Sequence, residues 1–283
     1  MPSQEFSVII EPGRKKSFYW RDIWRFKGLF FYLAWRDILV RYKQTAIGVL
    51  WSVIRPLLTI VVFTLVFNKL GNFPSEGAVP YAIMVCAGML PWQYFSSAFS
   101  DSANSLVANS NLLTKVYFPR IIVPASNVIV CLIDFLISFV ILIGLYFYYQ
   151  YTPDWRIVFV PVFLLLATIT AMGFGLFIAA LNVKYRDFRY VIPFIVQFGL
   201  YISPVGFSSS VVFSNPSIPQ FLKYLYALNP MVGVIDGFRW AMLGGSVDLH
   251  LPVFFASVAV SILFLFIGIW YFRRMEKSFA DVI

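Results

Sequence analysis

The chain of 283 residues is 60% hydrophobic and only 12% charged, whereas an ordinary soluble domain carries about 25% charged residues. This composition excludes a soluble globular domain, and its long, continuous apolar segments favour membrane-spanning α-helices over the short alternating strands of a barrel. The net charge of +9 requires no nucleic-acid partner, because Lys and Arg fall mainly in the N-terminal arm and in every second loop.

The N-terminal part of the chain precedes the first long apolar segment. Residues 1–17 are polar and are expected to form a cytoplasmic tail, since the first 28 residues hold no apolar core of a signal peptide. Residues 18–45 interleave aromatic and basic side chains, which predicts an amphipathic helix in the membrane interface, with a break near Gly28. Such a helix either only anchors the chain or also docks a cytoplasmic partner. Its main cations share one arc: Arg21, Arg25, Arg36 and Lys43.

Six apolar segments follow, each near the ~20 residues that cross a bilayer as a helix. The fifth segment contains Pro193 and Pro204 and is expected to be kinked or broken. Basic residues number nine before Ala46 and then two, three and three in alternate loops, against four on the other side, which places both termini in the cytoplasm. The predicted spans of this six-helix domain, 46–283, are 46–69, 80–100, 121–149, 157–181, 190–207 and 251–272.

Two connecting segments carry more pattern than simple loops do. Around residues 102–118, Leu106, Leu112 and Leu113 fall on one side of a short helix, and prolines follow. Residues 208–250 are too interrupted for a span and too apolar for a solvated linker, so two short re-entrant or interface helices are expected on the outer face. From the residues alone, an ordinary cytoplasmic turn is the favoured interpretation of 102–118.

Several kinds of chemistry have no basis in the sequence. There is no Gly-Lys-Ser or Gly-Lys-Thr phosphate loop, so ATP hydrolysis would require another chain. Cys86 and Cys131 lie inside apolar runs and are expected to be buried. With His250 as the single histidine, no metal site and no catalytic His system are predicted, and no cofactor is expected in this chain.

The stretch WRDILVRYKQTAIGVLWSVIRPLL, residues 35–58, resembles the start of the first transmembrane helix in Wzm-like permease subunits of polysaccharide-exporting ABC transporters. Further stretches are similar to the same family: the K-x-x-F-P-R run at residues 115–120, the loop LNVKYRDFRY, the run LNPMVGVIDGFRWAMLGG and the ending EKSFADVI. The resemblance extends from about Phe30 to the C-terminus.

The resemblance implies an all-α permease of six transmembrane helices that works as a homodimer in the bacterial inner membrane. Two copies of a cytoplasmic ATPase would bind the ATP and Mg²⁺ and would dock on a coupling helix over 102–118, while 208–250 would form an outer gate region. The cargo would be an O-antigen chain on polyprenyl pyrophosphate. The candidate docking residues are Ser105, Leu106, Asn109, Leu112 and Lys115.

Other functions remain open at this point. Capsule and teichoic acid exporters use related permeases, and a secondary transporter driven by an ion gradient is a further possibility. A membrane-embedded enzyme acting on lipid-linked sugars would need an acidic catalytic loop, and none is obvious among the 13 acidic residues. We therefore expect a permease and not an enzyme.

Aromatic residues are candidates for the translocation path, because aromatic rings stack on the apolar faces of sugars without fixing one register. The resemblance favours those of the first and fifth spans. Packing within the protein is the alternative for each of them. Arg55 lies within the first span, where it either reaches back to the headgroups, pairs with Asp134, or contacts the anionic head of a lipid-linked substrate. The candidates are Trp51, Arg55, Phe63, Phe67, Phe194, Phe198 and Tyr201.

Overall fold

The computed structural model describes residues 19–43, 49–72, 75, 79–244 and 247–279, so the predicted tail 1–17 lies outside the described residues. Every regular element in these ranges is a helix. A π-helical segment, Thr64–Leu70, continues α3, and 3-10 turns, Trp155–Phe159 and Glu276–Ser278, precede α7 and follow α12. The helices are α1 Tyr19–Arg25, α2 Lys27–Lys43, α3 Val49–Phe63, α4 Tyr81–Ala108, α5 Ser110–Lys115, α6 Ile122–Tyr148, α7 Val160–Lys184, α8 Phe188–Ile202, α9 Ser209–Ser214, α10 Gln220–Ala227, α11 Pro230–Leu243 and α12 Leu251–Met275.

Four helical stretches in the described part of the chain are long and apolar enough to cross a membrane. They are Leu50–Leu70, Ile122–Tyr148, Trp155–Lys184 and Leu251–Met275. These stretches confirm helices at the first, third, fourth and sixth predicted spans. The second span corresponds to α4. The fifth corresponds to the shorter apolar helix α8, which contains Pro193 and ends at Ile202, before Pro204.

Helix α4 forms the centre of the structure, with 20 of its 28 residues buried. It packs against α6, α7 and α11, and α12 packs against α7. Without a hydrophobic driving force in lipid, helices associate through close approach of small residues and through hydrogen bonds. Gly173 and Gly268 provide such an approach between α7 and α12, because a Cβ on Gly268 would lie 2.3 Å from the Gly173 carbonyl oxygen. Thr170 and Ser261 share a 2.8 Å hydrogen bond in the same interface.

The N-terminal helix pair, α1 and α2, lies within the region 18–45 that was expected to form an amphipathic helix. A turn at Phe26 separates the two helices, two residues before Gly28, near which a break was expected. Leu33 and Ala34 of α2 are buried, so this helix is partly covered by the core.

The expectation of a separate short helix over 102–118 requires a correction. Helix α4 continues through the Ser- and Asn-containing stretch to Ala108, and only then does α5 follow. Polar side chains of the continuation have partners: Ser102 donates to the Pro124 carbonyl over 3.1 Å, and Asn104 accepts from Asn182 of α7 over 3.2 Å. Ser105 and Leu106 are therefore buried in α4.

The segment 208–250 contains three helices in its described part, α9, α10 and α11, rather than the two expected. Helix α11 is buried at 13 of its 14 residues. Its Arg239, counted from the sequence as a charge of an outer loop, is fully buried. The guanidinium donates to the carbonyls of Val205 and Phe207, each over 2.8 Å, which accounts for the buried position.

Two clusters mark the opposite ends of the helix bundle. At one end, Glu276 accepts hydrogen bonds from the Arg120 amide over 2.8 Å and from the Tyr19 hydroxyl over 3.3 Å. At the other end, Tyr146 donates to the Met242 carbonyl over 2.8 Å, and Tyr151 donates to the Leu243 carbonyl over 2.6 Å. The first cluster brings α1, the connection before α6 and the end of α12 together.

Candidate functional site

A cavity of about 710 Å³ lies between α2, α3, α4 and α6, and it is open on one side. Its lining includes two of the residues predicted for the substrate path, Trp51 and Arg55. Charged groups of α2 and α6 form one part of the wall, and Leu90 and Phe135 form an apolar part. The cavity thus joins charged and apolar surfaces at one site.

The charged wall is centred on Arg41. Its guanidinium lies 2.6 Å from Asp134 of α6 and 2.8 Å from Asp101 of α4. Tyr42 donates a hydrogen bond to Asp134, and Ser52 of α3 donates to the same carboxylate over 3.2 Å. Burial lowers the pKa of Arg41, but the carboxylates of Asp101 and Asp134 outweigh it, and the net pKa is raised. Arg41 therefore stays charged and links three helices.

This geometry makes the hypothesis of an Arg55–Asp134 pair wrong, because Arg41 of α2 holds Asp134 instead. Arg55 is exposed, and its guanidinium lies 5.3 Å from the ring centre of Trp51. Within the described ranges, Arg55 makes no ion pair with a carboxylate. Its charge is thus presented to the cavity.

The other predicted aromatic residues of α3 and its continuation lie away from this cavity. Phe63 and Phe67 stack with ring centres 5.2 Å apart. Both rings contact Gly206 in the turn after α8, where a Cβ would lie 2.9 Å from Phe63 and 3.3 Å from Phe67. Only a residue without a side chain fits this position. One face of this pair is therefore packed against protein.

The aromatic residues of α8 form a separate exposed surface. Phe194, Phe198 and Tyr201 are each at least half exposed, and the Phe194 and Phe198 rings have centres 4.2 Å apart. The opposite face of α8 packs on α4, where a Cβ on Gly199 would lie 2.5 Å from Trp92. The structure therefore brings Trp51 and Arg55 together but keeps the α8 aromatics on a different surface.

The predicted docking residues divide between surface and interior. Lys115 of α5 is exposed and Leu112 is half-buried. Asn109, at the corner between α4 and α5, accepts a 2.9 Å hydrogen bond from Arg36 of α2. Ser105 and Leu106 are packing residues, so they do not belong to a docking surface.

Sequence reasoning missed two charged residues of the interior. Asp101 directly follows the predicted second span, and the polar residues around it indicate a loop, yet it lies on α4 and binds Arg41. Arg239 lies within an otherwise apolar run, and this isolation was the signal for a buried position. A Cβ on Gly88 would lie 2.7 Å from the Arg239 guanidinium, so α4 also fits closely around this side chain.

A helical chain with several apolar spans, a largely buried core helix and a cavity lined by charged residues defines a multi-pass membrane protein of the transporter type. Comparison with known proteins gives the family. The chain belongs to the ABC-2 type transporter family, whose sequence model matches residues 28–243.

Relatives of the chain align over most of their own length. The chain is 28% identical over 265 residues to the O-antigen export system permease protein RfbA of Myxococcus xanthus, an alignment that covers 93% of this chain and 98% of the relative. It is 25% identical to the protein of the same name from Klebsiella pneumoniae, with 88% and 92% covered. It is 23% identical to the polysialic acid transport protein KpsM of Escherichia coli, with 86% and 92% covered.

Proposed function

We propose that this chain is the transmembrane permease subunit of an ATP-driven exporter that moves a lipid-linked, O-antigen-like polysaccharide across the bacterial inner membrane. The observation that carries the proposal is the near full-length similarity to permeases that are named for O-antigen export. The chain itself is not an enzyme in this scheme. ATP and Mg²⁺ are bound by a separate cytoplasmic ATPase.

The proposed topology has six crossings, made by α3 with its π-helical continuation, α4, α6, α7, α8 and α12. The contacts of Glu276 with Tyr19 and Arg120 support it, because they require an even number of crossings between α1 and the end of α12. Basic residues concentrate at the same end, which supports a cytoplasmic location for both termini. On this assignment, α9, α10 and α11 lie toward the outer face.

Two copies of the chain are proposed to enclose the path of the polymer. The faces offered to a second copy are the exposed aromatic surface of α8 and the largely exposed α3. Only 11% of the apolar part of the first span is buried within one chain. Phe194, Phe198 and Tyr201 would contact sugar faces. Trp51 and Arg55 lie at the cavity between α2, α3, α4 and α6, which is called the lateral cavity below. Phe63 and Phe67 would contribute only the side that does not pack on Gly206.

The ATPase is proposed to dock on α5 and the adjoining face of α2, one ATPase per permease chain. The hydrogen bond between Arg36 and Asn109 supports this assignment, since it joins α2 to the corner that leads into α5. A force applied to α5 would then reach the N-terminal helices and the core together. Lys115 and Leu112 are the predicted contact residues.

A capsular polysaccharide is the second candidate cargo, favoured by the similarity to KpsM. The test deletes the gene in its own host and measures lipid-linked O-antigen and capsule separately at the cell surface. Loss of surface O-antigen, with polymer retained inside, supports the first cargo, and selective loss of capsule supports the second. Normal display of both polymers, or purification of the chain without an ATPase, would contradict the proposed function.

A further inference from the structure

The lateral cavity contains one cation that the proposed function leaves without a role. The Asp134 carboxylate in the lining of the cavity is held by Arg41, which also pairs with Asp101, whereas Arg55 makes no ion pair within the described residues. Arg55 lies six residues after Val49, or about 9 Å along the helix axis. A charge at such a depth is costly unless water, a carboxylate or an anionic ligand compensates it.

The surroundings of Arg55 indicate what kind of ligand would compensate it. Gln93 and Ser97 of α4 line the same cavity and offer polar donors, while Leu90 and Phe135 provide an apolar surface. A guanidinium recognises phosphate oxygens in pairs, through its fixed fork of N–H groups. The cavity therefore complements a molecule with an anionic phosphate at one end and a hydrocarbon chain at the other.

We propose that this cavity binds the phosphate group of a lipid, with Arg55 as the principal ligand of the phosphate oxygens. The hydrocarbon chain leaves through the open side of the cavity toward the bilayer. Two sources offer this chemistry. A bilayer phospholipid requires nothing from the proposed function, whereas the phosphate of a polyprenyl-linked substrate rests on it.

The test uses the full chain as it purifies, together with its ATPase where one accompanies it, in nanodiscs, and detects retained lipid by native mass spectrometry. The probes are phosphatidylglycerol, diacylglycerol with the same acyl chains, and polyprenyl phosphate. We expect the unmodified complex to retain a phosphate-bearing lipid and to release diacylglycerol. Arg55→Gln should retain at least tenfold less of it, and Arg55→Lys, which keeps the charge but not the fork, should fall between.

Arg274→Gln is the matched control, because Arg274 lies 5.6 Å from the ring of Trp270, a similar arrangement on α12 outside the cavity. This variant should retain as much lipid as the unmodified complex. Gln93→Leu is a second cavity variant, which keeps Arg41 and Arg55. It should weaken the retention of phosphate-bearing lipid, and it provides a test even if Arg55→Gln fails to assemble.

Competition identifies the source of the phosphate. Displacement of phosphatidylglycerol by polyprenyl phosphate assigns the cavity to the substrate, and retention of phosphatidylglycerol despite it assigns the cavity to a bilayer phospholipid; both results support the proposal. The proposal would be overturned if the unmodified complex and the Arg55 and Gln93 variants retained equal amounts of phosphate-bearing lipid. It would also be overturned if the unmodified complex retained as much diacylglycerol as phosphate-bearing lipid. Retention is measured without export, so a failure of the proposed function leaves this result intact.

Discussion

Arg41 of α2 and Asp134 of α6 lie 2.6 Å apart, although 93 positions separate them in the chain. The same guanidinium reaches Asp101 of α4, so one side chain connects the N-terminal helices to two helices of the core. Both members of the pair are about one-third exposed, which limits the cost of desolvating them. The contact fixes where α2 lies against the bundle.

Replacing Asp134 by Asn should loosen this connection. The substitution removes one of the two carboxylates of Arg41 and weakens the acceptor of Tyr42 and Ser52, and a loss of about 1–2 kcal/mol in the free energy of unfolding is expected. Thermal unfolding of the purified protein, followed by tryptophan fluorescence, measures this loss. Asp37→Asn is the control, because the Arg36–Asp37 pair lies within α2 alone. Equal melting temperatures for the two variants would contradict the prediction.

Cysteine labelling should separate surface from interior in the predicted docking segment. Cys86 and Cys131 are buried, so the native thiols contribute little background. Lys115→Cys should react readily with a bulky maleimide in the isolated chain and become protected when the ATPase binds. Ser105→Cys should react poorly in both states, since Ser105 is buried.

Lys69→Cys provides the control for this labelling experiment. Lys69 is exposed at the far end of the first span, so its labelling should not change when the ATPase binds. Lys115→Cys that stayed fully reactive in the assembled complex would show that α5 is not the docking site.

Phe198→Leu and Tyr201→Leu should slow polymer export while the complex still assembles. Each change removes an exposed ring from α8, and a loss of about 0.5–1.5 kcal/mol of aromatic contact corresponds to a roughly 2- to 10-fold slower step. Pulse labelling of surface polysaccharide measures the rate. Phe266→Leu, on an exposed position of α12, is the control and should export normally. Three equal rates would remove α8 from the path.

Glu276 should make stability depend on pH. Burial raises the pKa of Glu276 above its ordinary value of 4.5, against the opposing hydrogen bonds from Arg120 and Tyr19. The folded protein therefore binds this proton more tightly than the unfolded chain, so stability falls as the pH rises through the interval above 4.5. Glu276→Gln keeps an acceptor oxygen and cannot ionise.

The melting temperature of Glu276→Gln, measured relative to the unmodified protein, should therefore increase from pH 4.5 toward neutrality. Asp248→Asn is the control at an exposed carboxyl group. Parallel pH profiles for the unmodified protein and Glu276→Gln would show that Glu276 does not titrate differently in the folded state.

Close packing of α7 on α12 gives a further prediction. Gly268→Ala places a Cβ 2.3 Å from the Gly173 carbonyl oxygen, so the helices must separate, at a cost of about 1–3 kcal/mol. Gly144→Ala is the matched control, because a Cβ there meets no atom within 4 Å. A thermal melt of both variants should show destabilisation only for Gly268→Ala.

Hydropathy was sufficient to locate the four long apolar helices, because the sum over ~20 residues is informative. It was insufficient for the polar end of α4. Ser102 is buried in the helix there and donates to the Pro124 carbonyl, and no local pattern encodes that neighbour.

The charged site shows the same limit. A pair between Arg55 and Asp134 is one of three alternatives that the sequence leaves open for Arg55, because both residues lie inside apolar segments. The structure instead joins Asp134 to Arg41, a residue that the helical pattern placed on the amphipathic N-terminal helix. The choice between two arginines depends on how α2 lies against α6, which is a property of the assembled bundle. Trp51 and Arg55 are four residues apart on one helix, so their proximity was predictable from the sequence.

The burial of α4 has a consequence for how the topology of this chain is determined. A helix surrounded by protein does not need the hydropathy of one surrounded by lipid. A count limited to the long, strongly apolar helices of the described chain therefore gives four spans and omits α4, and it omits the short α8 as well. The two omissions flank α6 and α7. If six helices cross the membrane, a count of four spans still assigns both termini to one side. It gives α6 and α7 the wrong direction across the membrane. A reporter fused between Tyr149 and Asp154 would then give a signal from the face opposite to the one drawn.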